Sequence, residues 1–186
     1  VLLAKSADLD AEPGVRLPSP HTAALMILMG WFGNSVAPMR AGDAYRAWAF
    51  AREAGARFSA TLGTVIGERA QDMTIVPVLL LVSAGTIAAV GRFEVSGWVV
   101  TAGLLLVAAV LVSVVFMRHY GMRLSRRLPA RLQGPYADFQ AGTLAGFRPK
   151  NLPLQLLLGT IAWILETLRL YLVAQGIGLD IDMSAA

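Results

Sequence analysis

Residues 98–117, from Trp98 to Met117, run for 20 positions without a single charged side chain. As an α-helix rising about 1.5 Å per residue, such a run is about 30 Å long, the thickness of the hydrocarbon layer of a bilayer. Backbone amides in lipid have no water to bond, so they must be satisfied within the segment itself. This run therefore predicts a transmembrane helix, and it constrains the rest of the chain to a membrane setting. Only 15% of the 186 residues are charged, against about 25% in soluble domains. The 56% that are hydrophobic are clustered rather than spread.

Two further long apolar runs follow the same logic. Residues 59–90 read as one long helix or two abutting ones, with a spanning core over 73–90 that contains Pro77. Residues 154–174 form a third span. The short connection 91–97 makes 73–90 and 98–117 an antiparallel hairpin. Gly63 and Gly67 form a small-xxx-small step, which permits close helix approach. Residues 118–150 read as a polar loop in which Arg118, Arg123, Arg126, Arg127, Arg131, Arg148 and Lys150 face one acid, Asp138. That excess assigns the loop to the cytoplasm. It follows that 91–97 and the tail with Asp180 and Asp182 lie on the outer side.

Residues 22–37 behave differently. They are apolar but only 16 long, short of the roughly 20 a span needs. Arg16 precedes them, and Arg40, Arg46, Arg52 and Arg57 follow. Positive charge on both sides favours a re-entrant hairpin, 22–37 in and about 43–57 out, over a simple span. Residues 1–20, with Pro13, Pro18 and Pro20, read as a loop or interfacial segment. The expected fold is all-α: a polytopic transmembrane helical bundle with a re-entrant hairpin, forming one domain over 21–186. The start at Val1 and the end at Ala186 suggest a fragment of a longer protein.

Composition removes several function classes. There is no cysteine, which excludes disulfides, thiolate catalysis and Cys-based metal sites. His21 and His119 lie far apart and read as interfacial residues, so neither a metal nor any other cofactor is expected. The net charge of +4 comes from bases flanking apolar segments. It points to anionic lipid at a membrane face rather than to nucleic acid.

Charges inside or beside the apolar runs are the candidate functional residues, because an ionised group at the bilayer centre costs about 3 kcal/mol on insertion scales. Glu166 and Arg169, three apart in the last span, share a helix face and can pair. Glu68 and Asp72, four apart, face one way, and two carboxylates on one face call for a cation between them. Arg69, Arg169 or a Lys/Arg of another segment could supply it. Asn34, Pro38, Arg40, Gly42, Asp43 and Arg46 form the third group. Pro38 and Gly42 break the helix, and broken backbone at membrane depth belongs where it lines a cavity or is buried. A helix beginning near Asp43, with a capping residue, a positive dipole end and two flanking arginines, could seat a phosphate. The bland alternatives are structural ion pairs and a cytoplasmic turn.

The ordered blocks Asn34-x-x-x-Pro38-x-Arg40-x-Gly42-Asp43-x-x-Arg46, Glu68-Arg69-x-x-Asp72 and Trp163-x-x-Glu166 resemble the flippase-like transmembrane domain of lysylphosphatidylglycerol synthases, which also occurs as stand-alone membrane proteins. The resemblance covers the chain from about Arg16 on. It implies a middle portion of a domain with more helices on either side. The family's Pro-Gly-Arg-type turn is Pro38-Met39-Arg40 here, which predicts a less sharp turn.

The resemblance implies an inner-membrane lipid translocase handling a phospholipid or polyprenyl-linked (isoprenoid) lipid, alone, as a homo-oligomer or beside a partner synthase. The aminoacyl-transfer domain of the synthases has no counterpart within the chain, so no catalytic residue is expected. No ATP-binding loop is present, so energy would come from a gradient or from mass action. The alternatives are an intramembrane transferase and an accessory subunit in lipid-linked glycan or hopanoid synthesis.

Overall fold

The computed structural model describes residues 14–89, 96–150 and 152–178. The expectations for residues 1–13, for most of the 91–97 connection and for the tail with Asp180 and Asp182 lie outside the described residues. Among the described residues the secondary structure is helical: α1 (Pro20–Val36), a 3-10 turn (Pro38–Arg40), α2 (Ala41–Ala54), α3 (Phe58–Ala89), α4 (Gly97–Ser125), α5 (Ala130–Ala145) and α6 (Leu152–Gly176). An all-α membrane fold is what this chain adopts.

The chain groups into two compact units, residues 1–69 with 113–152 and residues 70–112 with 153–186. In the first, α1 is started by Ser19, whose Oγ accepts from the Thr22 N–H at 3.1 Å, and by Pro20, which cannot donate and loses nothing at a helix start. α2 stops at Gly55, whose φ of 70° puts it in the left-handed region that glycine tolerates. The backbone N–H of Arg16 then donates to the Ala54 carbonyl at 2.9 Å. This ties the entry of α1 to the exit of α2 and closes a helical hairpin.

The first unit corrects one reading. Residues 118–150 are not a polar loop: α4 continues to Ser125, and Ala130–Ala145 form a further helix. That helix owes its place to small residues rather than to an apolar stripe, which is why hydropathy does not reveal it. A Cβ on Gly63 would fall on the Phe139 carbonyl, and one on Gly142 on the Ala60 carbonyl. Backbones in that contact exclude any side chain, so the Gly63/Gly67 step is where α3 meets α5. Gln140 donates through Nε2 to the Met117 carbonyl at 2.9 Å, and Asp138 accepts from Arg57 (2.9 Å) and Ser59 (3.3 Å).

α4, whose residues 97–112 belong to the second unit, and α6 are each long and apolar enough to cross a membrane, and almost none of either is buried within the chain. An apolar helix that its own chain leaves uncovered is the opposite of a soluble core helix. The expected spans 98–117 and 154–174 fall inside these two helices. The third, 73–90, falls on the end of α3, with residue 90 outside the described residues. Hydroxyls on these helices, such as Thr101 to the Gly97 carbonyl (2.9 Å) and Thr167 to the Trp163 carbonyl (3.0 Å), bond back to their own helix, so they present no unmet donor to an apolar medium.

Candidate functional site

The α1–α2 hairpin crosses through glycine. Cβ atoms at Gly30 and Gly33 would lie 3.2 Å from the Gly42 carbonyl oxygen and 3.0 Å from its Cα, and one at Gly42 would overlap the Gly30 carbonyl. With the helices this close, Asn34 near the end of α1 reaches the first turn of α2. Its Oδ1 accepts from the Asp43 N–H at 3.2 Å, and its Nδ2 donates to Asp43 Oδ1 at 3.1 Å. Asn34 thus satisfies one of the amides a helix start leaves open, from a position nine residues upstream.

α2 starts at Ala41, two residues before Asp43, but its cap residue is Arg40, which makes no side-chain capping bond. Asp43 is the third helical residue. The turn is also not relaxed by the missing glycine: Met39 and Arg40 both hold left-handed backbone, at φ 57° and 55°. For residues with a Cβ this conformation is strained, by about 1–2 kcal/mol each. The Met39 side chain is almost wholly exposed, so no packing of its own holds it there.

Around Asp43 the expected site residues come together with α3. Arg69 donates through Nε to Asp43 Oδ2 at 3.1 Å, and Arg40 Nε lies 3.4 Å from the same oxygen. Arg46, 6% exposed, makes a two-pronged bond to Glu68 at 3.1 and 2.9 Å. Arg69 also stands 3.7 Å from Glu68. The cation beside Glu68 is therefore Arg46 and then Arg69. Burial pushes the Asp43 carboxyl up, but the Asn34 amide and the guanidiniums of Arg69, Arg46 and Arg40 outweigh it and hold it below the usual carboxylate range. Arg40, Arg46 and Arg69 stand around Asp43 and Glu68 in this cluster. Arg40 carries the most exposed side chain of the five, 62%.

The remaining expected residues belong to the second unit. Trp163 donates through Nε1 to Asp72 Oδ1 at 3.3 Å, which joins two of the sequence blocks across α3 and α6. Glu166 pairs with Arg169 on α6, both exposed. Sequence reasoning missed the buried amide pair beside Asp72, in which Gln71 Nε2 donates to Gln155 Oε1 at 2.8 Å. Uncharged amides in apolar runs were the available signal. Among the described residues, no group of three or more His, Asp or Glu converges as a metal site would require.

The chain is similar to known membrane proteins. The family model for the lysylphosphatidylglycerol synthase TM region matches residues 11–186. A UPF0104 membrane protein of Methanothermobacter thermautotrophicus is 26% identical over 184 residues, which covers 85% of this chain and 53% of that protein. The chain thus spans about half the length of the curated relative it matches. No solved structure matches it.

Proposed function

The chain belongs to the lysylphosphatidylglycerol synthase TM region family, and from that membership we propose that it is a non-catalytic lipid translocase domain, whose hairpin cluster receives the phosphate of a phospholipid or polyprenyl-linked lipid. The observation that carries this reading is the exposed side chain of Arg40 on the turn, 62% accessible, beside a cluster in which Arg46 and Arg69 brace Asp43 and Glu68. A phosphodiester is an anion that such a guanidinium binds. Arg46 is engaged by Glu68 and braces the cluster. Arg40, on the strained turn, is the group placed to meet a headgroup first, and Arg69 shares its donors between the two acids. Pro38 and Gly42 shape the turn that presents them. Asp72 and Glu166 are a second candidate set, suited to a cationic headgroup group or a proton.

In this reading α1 and α2 form a re-entrant hairpin in the inner membrane, with the 118–150 region cytoplasmic and 91–97 and the tail outside. Acyl chains stay in lipid, while transport runs on a gradient or mass action. A liposome translocation assay with Arg40→Ala, Arg46→Ala and Glu68→Gln tests it. Each variant is expected to slow transport, Arg40→Ala without loss of fold. Transport unchanged in all three would leave the cluster a structural lock, the role expected of an accessory subunit.

A further inference from the structure

The outer face of α2 carries a cluster that the hairpin's own packing does not use. Gly42, Arg46, Ala47, Ala51 and Ala54 turn inward and are buried. On the opposite side Tyr45 and Trp48, 44% and 46% exposed, stack with ring centroids 5.8 Å apart, and the Arg52 guanidinium lies 5.4 Å from the Trp48 ring. The same arrangement recurs on α4. Phe116 and Tyr120 stack at 5.2 Å, and Arg123 lies 5.6 Å from the Tyr120 ring. All three of those side chains are exposed as well. In both helices the arginine follows the aromatic pair toward the C-terminal end.

The α4 cluster straddles the point where the charge-free run 98–117 ends and Arg118 begins the basic stretch. In a spanning helix such a step marks the boundary between hydrocarbon and headgroups. Amphipathic rings concentrate there, apolar body inward and polar edge outward. An arginine stacked on such a ring keeps its N–H edge open toward phosphate while its stem stays on apolar surface.

We propose that the two clusters are headgroup anchors, each holding an aromatic pair at the carbonyl level of an anionic bilayer surface while its arginine bonds lipid phosphate. The α2 cluster would then fix how deep the hairpin sits. The partner is a lipid surface, not a protein, since each exposed face pairs amphipathic rings with a cation, and on α4 the residues that follow are basic. The inference does not require that the chain translocate lipid.

Tryptophan fluorescence in vesicles of phosphatidylcholine and phosphatidylglycerol tests it, with bromines placed either near the carbonyl end or near the methyl end of the acyl chains. The difference between the wild-type protein and Trp48→Phe isolates the Trp48 signal. Tyr120→Trp in the Trp48→Phe background reports on α4. Both signals are expected to be quenched more by the shallow bromines than by the deep ones. Arg52→Gln should shift the Trp48 emission to the red and weaken its shallow quenching. No quenching by either lipid, or stronger quenching by the deep one, would overturn the placement. An Arg52→Gln signal identical to wild type would overturn the arginine's role.

Discussion

The two units hold their helices by different means. In the first, glycine brings backbones into contact at Gly42 against Gly30 and at Gly63 against Phe139, and ion pairs fasten the crossings. In the second, Gly85 has nothing within 4 Å, Gly103 meets Leu81 and Pro77 at an ordinary 3.7 Å, and Gly159 would meet the flexible Cδ1 of Ile75 at 2.7 Å rather than a backbone. There the large apolar residues point outward, and a few polar bonds such as Gln71–Gln155 join α3 to α6. Lipid offers no hydrophobic drive between helices. Close backbone approach therefore carries structure in one unit, while the other leaves its surface to the bilayer. Charge is distributed accordingly: the first unit gathers Arg40, Asp43, Arg46, Glu68 and Arg69 at one crossing, while α6 in the second carries the exposed Glu166–Arg169 pair.

The largest expected effect breaks that contrast at its tightest point. Gly42→Ala forces the hairpin open and should destabilise the protein by about 3 kcal/mol or more, read as a large fall in thermal unfolding temperature in detergent. Gly85→Ala should do the reverse on a small scale, gaining up to about 1 kcal/mol of helix propensity. Equal losses at both glycines would erase the distinction. Next comes Arg46→Ala, which strands Glu68 inside the cluster. Loss of a partner from a buried pair costs about 3–5 kcal/mol; Glu68 is 38% exposed and keeps Arg69 nearby, so the lower end is expected. Arg40→Ala removes an exposed partner and should cost less than about 1 kcal/mol.

Acid should act on the hairpin through Asp43. Its folded pKa is depressed, so its contribution is complete above the ordinary carboxylate value and is lost as pH falls through the folded value. Asp43→Asn should flatten the acid limb of a stability profile. One change should be a gain: Met39→Gly should relieve about 1 kcal/mol of left-handed strain, measurable as a modest rise in unfolding temperature.

Hydropathy makes α4 and α6 legible, because lipid-facing helices advertise themselves in composition. The hairpin is legible too, through its short apolar arm, Pro38 and Gly42. Residues 118–150 are not, since α5 is placed by Gly142 and Thr143 against α3 rather than by an apolar stripe, and its basic neighbours look like a loop. The start of α2 is legible to within two residues of Asp43, but its cap is not, because two left-handed non-glycine residues, Met39 and Arg40, are not something a chain announces. Pairings such as Arg46–Glu68 and Trp163–Asp72 link distant blocks. Their residue types are readable, but who meets whom depends on helix crossings that glycine contacts set.

Mass spectrometry of lipids that copurify with the protein tests the central claim most directly, comparing wild type with Arg40→Ala. The wild-type hairpin cluster should retain a phosphate-bearing lipid, and Arg40→Ala should lose most of it while remaining folded. Equal lipid on both proteins, or a retained lipid without phosphate, would contradict the assignment of this cluster as a headgroup site.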